Sequence, residues 1–108
     1  MSKEDFTETQ YERIHQMFEL TDDALAQMIV LLKGHKEHLD PTRSFNIENE
    51  INNYRNQLRT ENITDINNHA YTYSMGTMYM DIIQECEKLG DYVVNVVESR
   101  MGIKQAEI

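Results

Sequence analysis

The chain has little of what marks most other protein classes. Among 108 residues there is one cysteine, one proline, four glycines and no tryptophan. A lone Cys86 cannot form an internal disulfide, which points to a reducing compartment. So few turn-forming residues cannot punctuate an all-β domain of this length, in which turns recur every 8 to 12 residues or so. Basic residues are scarce too: ten Lys and Arg stand against nineteen Asp and Glu, a formal charge of -9. That charge repels phosphate backbones and anionic headgroups, so nucleic acid is not an expected partner. Long apolar runs are missing as well. The best, Met28 to Leu32, is five residues, where a membrane span needs roughly 20. The start Met-Ser-Lys-Glu-Asp has neither the basic end nor the apolar stretch of a secretion signal. No glycine-rich phosphate loop, serine nucleophile motif or basic aromatic patch is found, and a catalytic role is not expected.

What is present is helical periodicity. Tyr11, Ile14, Phe18, Thr21, Leu25, Met28, Leu32 and His35 step alternately by three and four residues, as the seam of a bundle helix does. This predicts a first helix over about 7–38, stopped by Asp40-Pro41 because proline disfavours helical geometry in the residue before it. Thr42, Ser44 or Asn46 can cap a second helix, over about 44–62, with Ile47, Ile51, Tyr54 and Leu58 on one side. Thr64 or Asp65 can cap a third, over about 65–100, before Gly102. The expected fold is all-α, an antiparallel three-helix bundle of spectrin-like form in a single domain over 1–108.

The third helix is apolar over more than half its circumference when its residues are placed about 100° apart. Two neighbours cover part of that arc, and the remainder should face another copy or another part of a larger protein, so a homo-oligomer is expected. Glu87 breaks the arc. It falls between Val94 and Met80 in azimuth, close to Gly90, and a bare carboxylate there must be protonated, paired with a cation or bound to metal. Asp91 follows one turn on, and Glu48 and Asn52 form a similar pair on the second helix. Oxygen donors brought together across two helices suit iron, manganese, magnesium or calcium. The other reading is an acidic rim in which Arg55 and Arg59 serve as salt-bridge partners.

Remaining signals read as structural. Glu12 and His15 have di-iron ligand spacing but point away from the seam. His35 and His38 read as cations at the C-terminus of the first helix, and His69 has no evident partner. Met75, Met78 and Met80 read as core, and Cys86 as buried and inert.

The stretch Ile82-Ile83-Gln84-Glu85-Cys86-Glu87-Lys88-Leu89-Gly90-Asp91-Tyr92-Val93-Val94-Asn95-Val96 resembles the signature of PhoU-type domains, in which one helix carries a Glu, a basic residue, an aliphatic, Gly and Asp, then an amide. Ile47-Glu48-Asn49-Glu50-Ile51-Asn52 resembles the other acidic motif of that family. The resemblance implies a single PhoU-like repeat that acts in regulating phosphate uptake, with Glu48, Asn52, Glu87 and Asp91 as metal-facing positions for iron, manganese, zinc or magnesium. The metal is not required for the fold. Full PhoU proteins carry two such repeats in tandem and this chain carries one, and Asn52 stands where the motif has an acid. Ile51-Asn52-Asn53-Tyr54-Arg55-Asn56-Gln57-Leu58-Arg59 is most similar to the PhoU-like tail of sodium/phosphate cotransporters. That likeness implies a cytoplasmic domain at the inner face of the membrane, partnered by a transporter's membrane domain. The alternative function is a structural helical oligomerisation module without a ligand; a carboxylate-bridged metal enzyme is the weakest reading.

Overall fold

A computed structural model describes residues 5–35 and 39–102. Three long helices make up the fold, α1 (Glu8–Lys33), α2 (Thr42–Asn67) and α3 (Tyr73–Met101), with no strand among the described residues. Arg13 near the start of α1 pairs with Glu61 and Asp65 near the end of α2. Arg100 near the end of α3 donates to the Gly34 carbonyl at the end of α1, at 2.8 Å. These contacts make α1 and α3 parallel to each other and antiparallel to α2. The bundle measures 58 × 29 × 19 Å.

The helix boundaries differ from the sequence expectation, and local chemistry explains each difference. α1 ends at Lys33, not near His38. Gly34 follows it in extended conformation, and a Cβ on that residue would lie 2.6 Å from the Leu39 side chain, so the incoming chain occupies the space a larger residue needs. The end is therefore set by Gly34 before Asp40-Pro41 can act. The cations at this end are Lys33 in the last turn and Arg100 from α3. His35 lies beyond the helix and is exposed, and His38 lies outside the described residues.

α2 begins at Thr42 and runs five residues past Asn62. Pro41 occupies the N-cap position, where its missing N–H costs nothing, and the Asp40 side chain accepts from the Thr42 N–H at 3.0 Å. Thr64 and Asp65 are not caps of α3. The Thr64 hydroxyl bonds back to the Thr60 carbonyl, and Asp65 holds Arg13 at 3.0 Å. α3 starts eight residues later than expected, at Tyr73, where the Thr72 hydroxyl accepts from the Met75 N–H. His69 belongs to the intervening turn, exposed and with φ of 62°. Gly102, with φ of 75°, ends α3 in the left-handed conformation that glycine adopts without strain.

The buried side of α1 is Gln10, Ile14, Met17, Thr21, Ala24 and Leu31. It shares Ile14 and Thr21 with the expected seam but is rotated, leaving Tyr11, Phe18 and Leu32 about half exposed. Ile47, Ile51 and Leu58 of α2 and Tyr79, Met80, Ile83, Cys86, Val93 and Val97 of α3 complete the core. Met75 is buried as expected, whereas Met78 is half exposed.

The end of the bundle near Asn62 is held by polar groups. Asn62 is buried, donates to the Gly76 carbonyl and accepts from the Tyr71 hydroxyl at 2.6 Å. The break expected at Asn62 is thus a clamp inside α2, tying it to the first turn of α3.

Candidate functional site

Four residues singled out from the sequence, Glu48, Asn52, Glu87 and Asp91, come together on the facing sides of α2 and α3. The antiparallel crossing brings them into register because Gly90 lets α2 approach. A Cβ at Gly90 would lie 3.2 Å from the Ile51 Cδ1, so the small residue is matched to a core isoleucine, not to an ion. One turn on either side of that contact the helices carry their carboxylates.

Glu87 is largely covered, with 17% of its side chain exposed, and its Oε1 lies 3.9 Å from the Nη1 of Arg55 on α2. The pair is coulombic, since the separation is too long for a hydrogen bond. Asn52 donates its amide to Glu48 along α2. Burial pushes the Glu87 carboxyl above its ordinary value; Asp91 raises it further by hydrogen bonding and repulsion, Arg55 draws it down, and Glu48 adds a smaller repulsion. Burial also raises Glu48; its hydrogen bond from Asn52 lowers it and Asp91 raises it. One guanidinium among three carboxylates leaves the seam short of positive charge.

Two polar atoms in this seam, the Oδ1 of Asn52 and the Nε of Arg55, are buried without a hydrogen-bond partner among the described residues. Among the described residues no three His, Cys, Asp or Glu side chains converge into an arrangement that could hold a metal ion. The donor types suit a hard cation, three carboxylates and an amide oxygen, but they do not form a closed shell, and Arg55 already competes for Glu87. Zinc, which favours nitrogen and sulfur donors in tight tetrahedra, fits this set worst.

The residues read as structural fall as expected in most cases. Glu12 and His15 are exposed, and His15 faces Glu19 along the helix surface. Cys86 is buried, and burial raises its thiol above the usual range, which keeps it protonated and inert. Arg59 reaches Asn56 on the surface and takes no part in the acidic seam. A shallow groove between α1 and α2, lined by Gln16, Leu20, Glu50, Asn53, Tyr54 and Gln57, was not foreseen. Its amides are scattered along both helices and no single sequence motif marks them.

Sequence reasoning also missed the polar cluster at the opposite end of the core. Arg13, 19% exposed, bridges Glu61 and Asp65, beside buried Gln10, Asn62 and Tyr79. The Tyr79 hydroxyl has no hydrogen-bond partner among the described residues, and burial drives it far above the ordinary phenol range. A Gln and an Arg on the seam-facing side of α1 were the available signal.

Among the described residues no helix is long and apolar enough to cross a membrane. Residues 14–99 match the PhoU domain family, a span that takes in the whole of α2, most of α1 and α3, and both acidic motifs. No curated protein and no solved structure gives a significant match. The match covers most of the chain and places the Glu48/Asn52 and Glu87/Asp91 pairs inside it, so the chain belongs to the PhoU domain family.

Proposed function

We propose that this chain is a regulatory, non-catalytic domain of phosphate uptake, and that the seam between α2 and α3 is its cation-responsive surface. Family membership supports the phosphate-related regulatory role. The observation that carries the site is the charge imbalance at Glu87: a mostly covered carboxylate, raised by burial and by Asp91, with a single guanidinium opposite at 3.9 Å. Such a group gains from a second cation or from a proton. Glu48, Glu87 and Asp91, with the unpartnered Oδ1 of Asn52, do not converge on one metal position as they stand, so a hard cation such as iron, manganese or magnesium would have to draw them together in competition with Arg55. A bound cation would neutralise the seam and tighten α2 against α3, which is how occupancy would reach the rest of the bundle.

The finer reading is that the domain acts at the inner face of the membrane, as the cytoplasmic part of a sodium-dependent phosphate transporter or as a partner of its membrane domain. The similarity of residues 51–59 to such tails supports it. A direct test is uptake of radiolabelled phosphate by host cells carrying the wild-type gene, no gene, or Glu87→Gln with Asp91→Asn. Loss of control over uptake when phosphate is plentiful is expected in both altered strains. Uptake indistinguishable from wild type in the deletion strain would refute the phosphate role; a defect in the deletion alone would refute the seam.

The alternative, a ligand-free helical module, draws on Arg55. If its pairing with Glu87 already satisfies the seam, cations should leave stability unchanged.

A further inference from the structure

Three buried polar side chains, one from each helix, meet at the end of the bundle where α1 starts. Because α1 and α3 are parallel, with Gly34 level with Arg100, and both rise by ~1.5 Å per residue, Gln10 lies near the height of Gly76 and Arg13 near that of Tyr79. Asn62 of α2 reaches the same level through its bond to the Gly76 carbonyl. Gln10 and Tyr79 are 0% exposed and Asn62 6%, and each stands on the buried side of its helix. Beside them are Arg13 with its partners Glu61 and Asp65, and Tyr71, whose hydroxyl lies 3.5 Å from Asp65.

The hydrogen bonds of these groups can be accounted for one by one. Asn62 is engaged on both sides, since its amide donates to the Gly76 carbonyl and its oxygen accepts from the Tyr71 hydroxyl at 2.6 Å. The Gln10 side-chain oxygen accepts from the Thr7 N–H at 2.9 Å, which fixes the orientation of the amide. Its Nε2 and the Tyr79 hydroxyl are both buried and have no hydrogen-bond partner among the described residues. Two donors cannot satisfy each other: an N–H of Gln10 given to the Tyr79 oxygen still leaves the phenol proton and a second N–H unused. Buried donors left in that state lose their hydration without a return, and native interiors supply the missing partner from the protein or from an ordered water.

We propose that Gln10 and Tyr79 share one internal ligand, a single water molecule enclosed between the three helices, which accepts from the Gln10 Nε2 and the Tyr79 hydroxyl and donates to the Asp65 carboxylate. The surrounding chemistry selects water. The occupant accepts hydrogen bonds from N–H and O–H groups that face it, which excludes a metal cation. It is neutral, because Arg13 is already outweighed by Glu61 and Asp65 in a chain of formal charge -9, and this excludes chloride and phosphate. It also donates, because a carboxylate lies beside it. Water, with its usual two to four bonds or so to buried polar groups, meets all three conditions. Held there, it ties the first turns of α1 to α3 as Asn62 ties α2 to α3, so one polar network closes this end of the bundle. Tyr79 and Glu87 are eight residues apart on α3, about 12 Å at ~1.5 Å per residue, so the water and any cation in the acidic seam occupy separate sites.

A high-resolution crystal structure of wild type tests this directly, with parallel crystals soaked in sodium bromide. One well-ordered density peak without anomalous signal is expected within about 3 Å of both the Gln10 Nε2 and the Tyr79 oxygen. In solution, the Gln10 side-chain amide should show nuclear Overhauser contact with a long-lived water, and Tyr79→Phe should weaken that contact severalfold while leaving helicity by circular dichroism unchanged. Absence of the peak, with Gln10 and Tyr79 bonded to protein atoms instead, overturns the proposal whatever the variant does. So does a bromide signal at that position, since the occupant is then an anion. A water contact at Gln10 that folded Tyr79→Phe keeps at full strength also overturns it, because the two side chains then share no ligand.

Discussion

Arg55 on α2 faces Glu87 on α3 at 3.9 Å, close enough to attract and too far to share a hydrogen bond. The guanidinium is 23% exposed and the carboxylate 17%, so neither is fully solvated. The contact therefore only partly offsets the burial of Glu87, and its carboxyl stays raised because burial and Asp91 together outweigh Arg55. A covered carboxylate with an incomplete partner is a group whose state should respond to pH and to added cations.

The pH response has a definite sign. A folded-state pKa above the unfolded value means that the native chain binds its proton more tightly than the unfolded chain does, so this contribution to stability falls as pH rises. Glu48 and Glu87 are both raised from 4.5. Their ionisation therefore disfavours the fold above their native pKa values, and the penalty is relieved as pH falls toward 4.5. Glu87→Gln should be as stable as wild type or slightly more so at neutral pH, within about 1 kcal/mol. Urea melts at several pH values should show a shallower change between neutral and pH 5 or so for the variant than for wild type.

Asn62 is expected to matter more than its place in a polar stretch implies. It is buried, donates to the Gly76 carbonyl and accepts from Tyr71. Asn62→Ala leaves buried groups without partners and should cost about 1–3 kcal/mol. Denaturant unfolding would show it, and a loss under half a kilocalorie would mean that Tyr71 and Gly76 find other partners.

Two helical glycines separate packing from propensity. At Gly76 a Cβ would lie 2.5 Å from the Ile66 Cδ1 and 3.1 Å from the Asn62 Oδ1; at Gly90 its nearest neighbour is the Ile51 Cδ1 at 3.2 Å. Alanine gains about 1 kcal/mol of helix propensity at either site. At Gly76 the collision disturbs the Asn62 clamp, and a net loss of about 1–3 kcal/mol is expected. At Gly90 Ile51 must give only slightly, so the two effects should nearly cancel. Thermal melts of the two variants should fall in that order.

The helices were legible because α2 and α3 bury regular three-four stripes: Ile47, Ile51 and Leu58 are core in both the periodicity and the structure. α1 carries apolar residues on two adjacent stripes; periodicity points to the one with Tyr11, Phe18 and Leu32, whereas the structure buries the one with Met17, Ala24 and Leu31. The choice is made by α2, whose Glu61 and Asp65 take Arg13 and turn the helix. The α2/α3 turn was misplaced because Thr64, Asp65 and Asn62 have capping chemistry, and tertiary contacts use each of them elsewhere. In the site, the azimuth of Glu87 and its need for a cation were readable from helical geometry. That Arg55 supplies the cation was open, because the relative height of two helices is not written in either one.

Arg55→Gln removes the competing cation while keeping length and hydrogen-bonding capacity. The Glu87 carboxyl should then rise further, readable by carbon-detected titration of its side chain. Manganese or iron should stabilise this variant more than wild type, because Glu48, Glu87 and Asp91 no longer share a guanidinium. Equal metal response in the two proteins would mean that Arg55 does not guard the site.

The central claim, that the α2/α3 seam takes up a cation through Glu87, is tested most directly by calorimetric titration of manganese and ferrous iron into wild type and Glu87→Gln. Saturable binding to wild type, reduced at least tenfold in the variant with its helicity intact, is the predicted result. No saturable heat with wild type, or equal binding to both proteins, would contradict it.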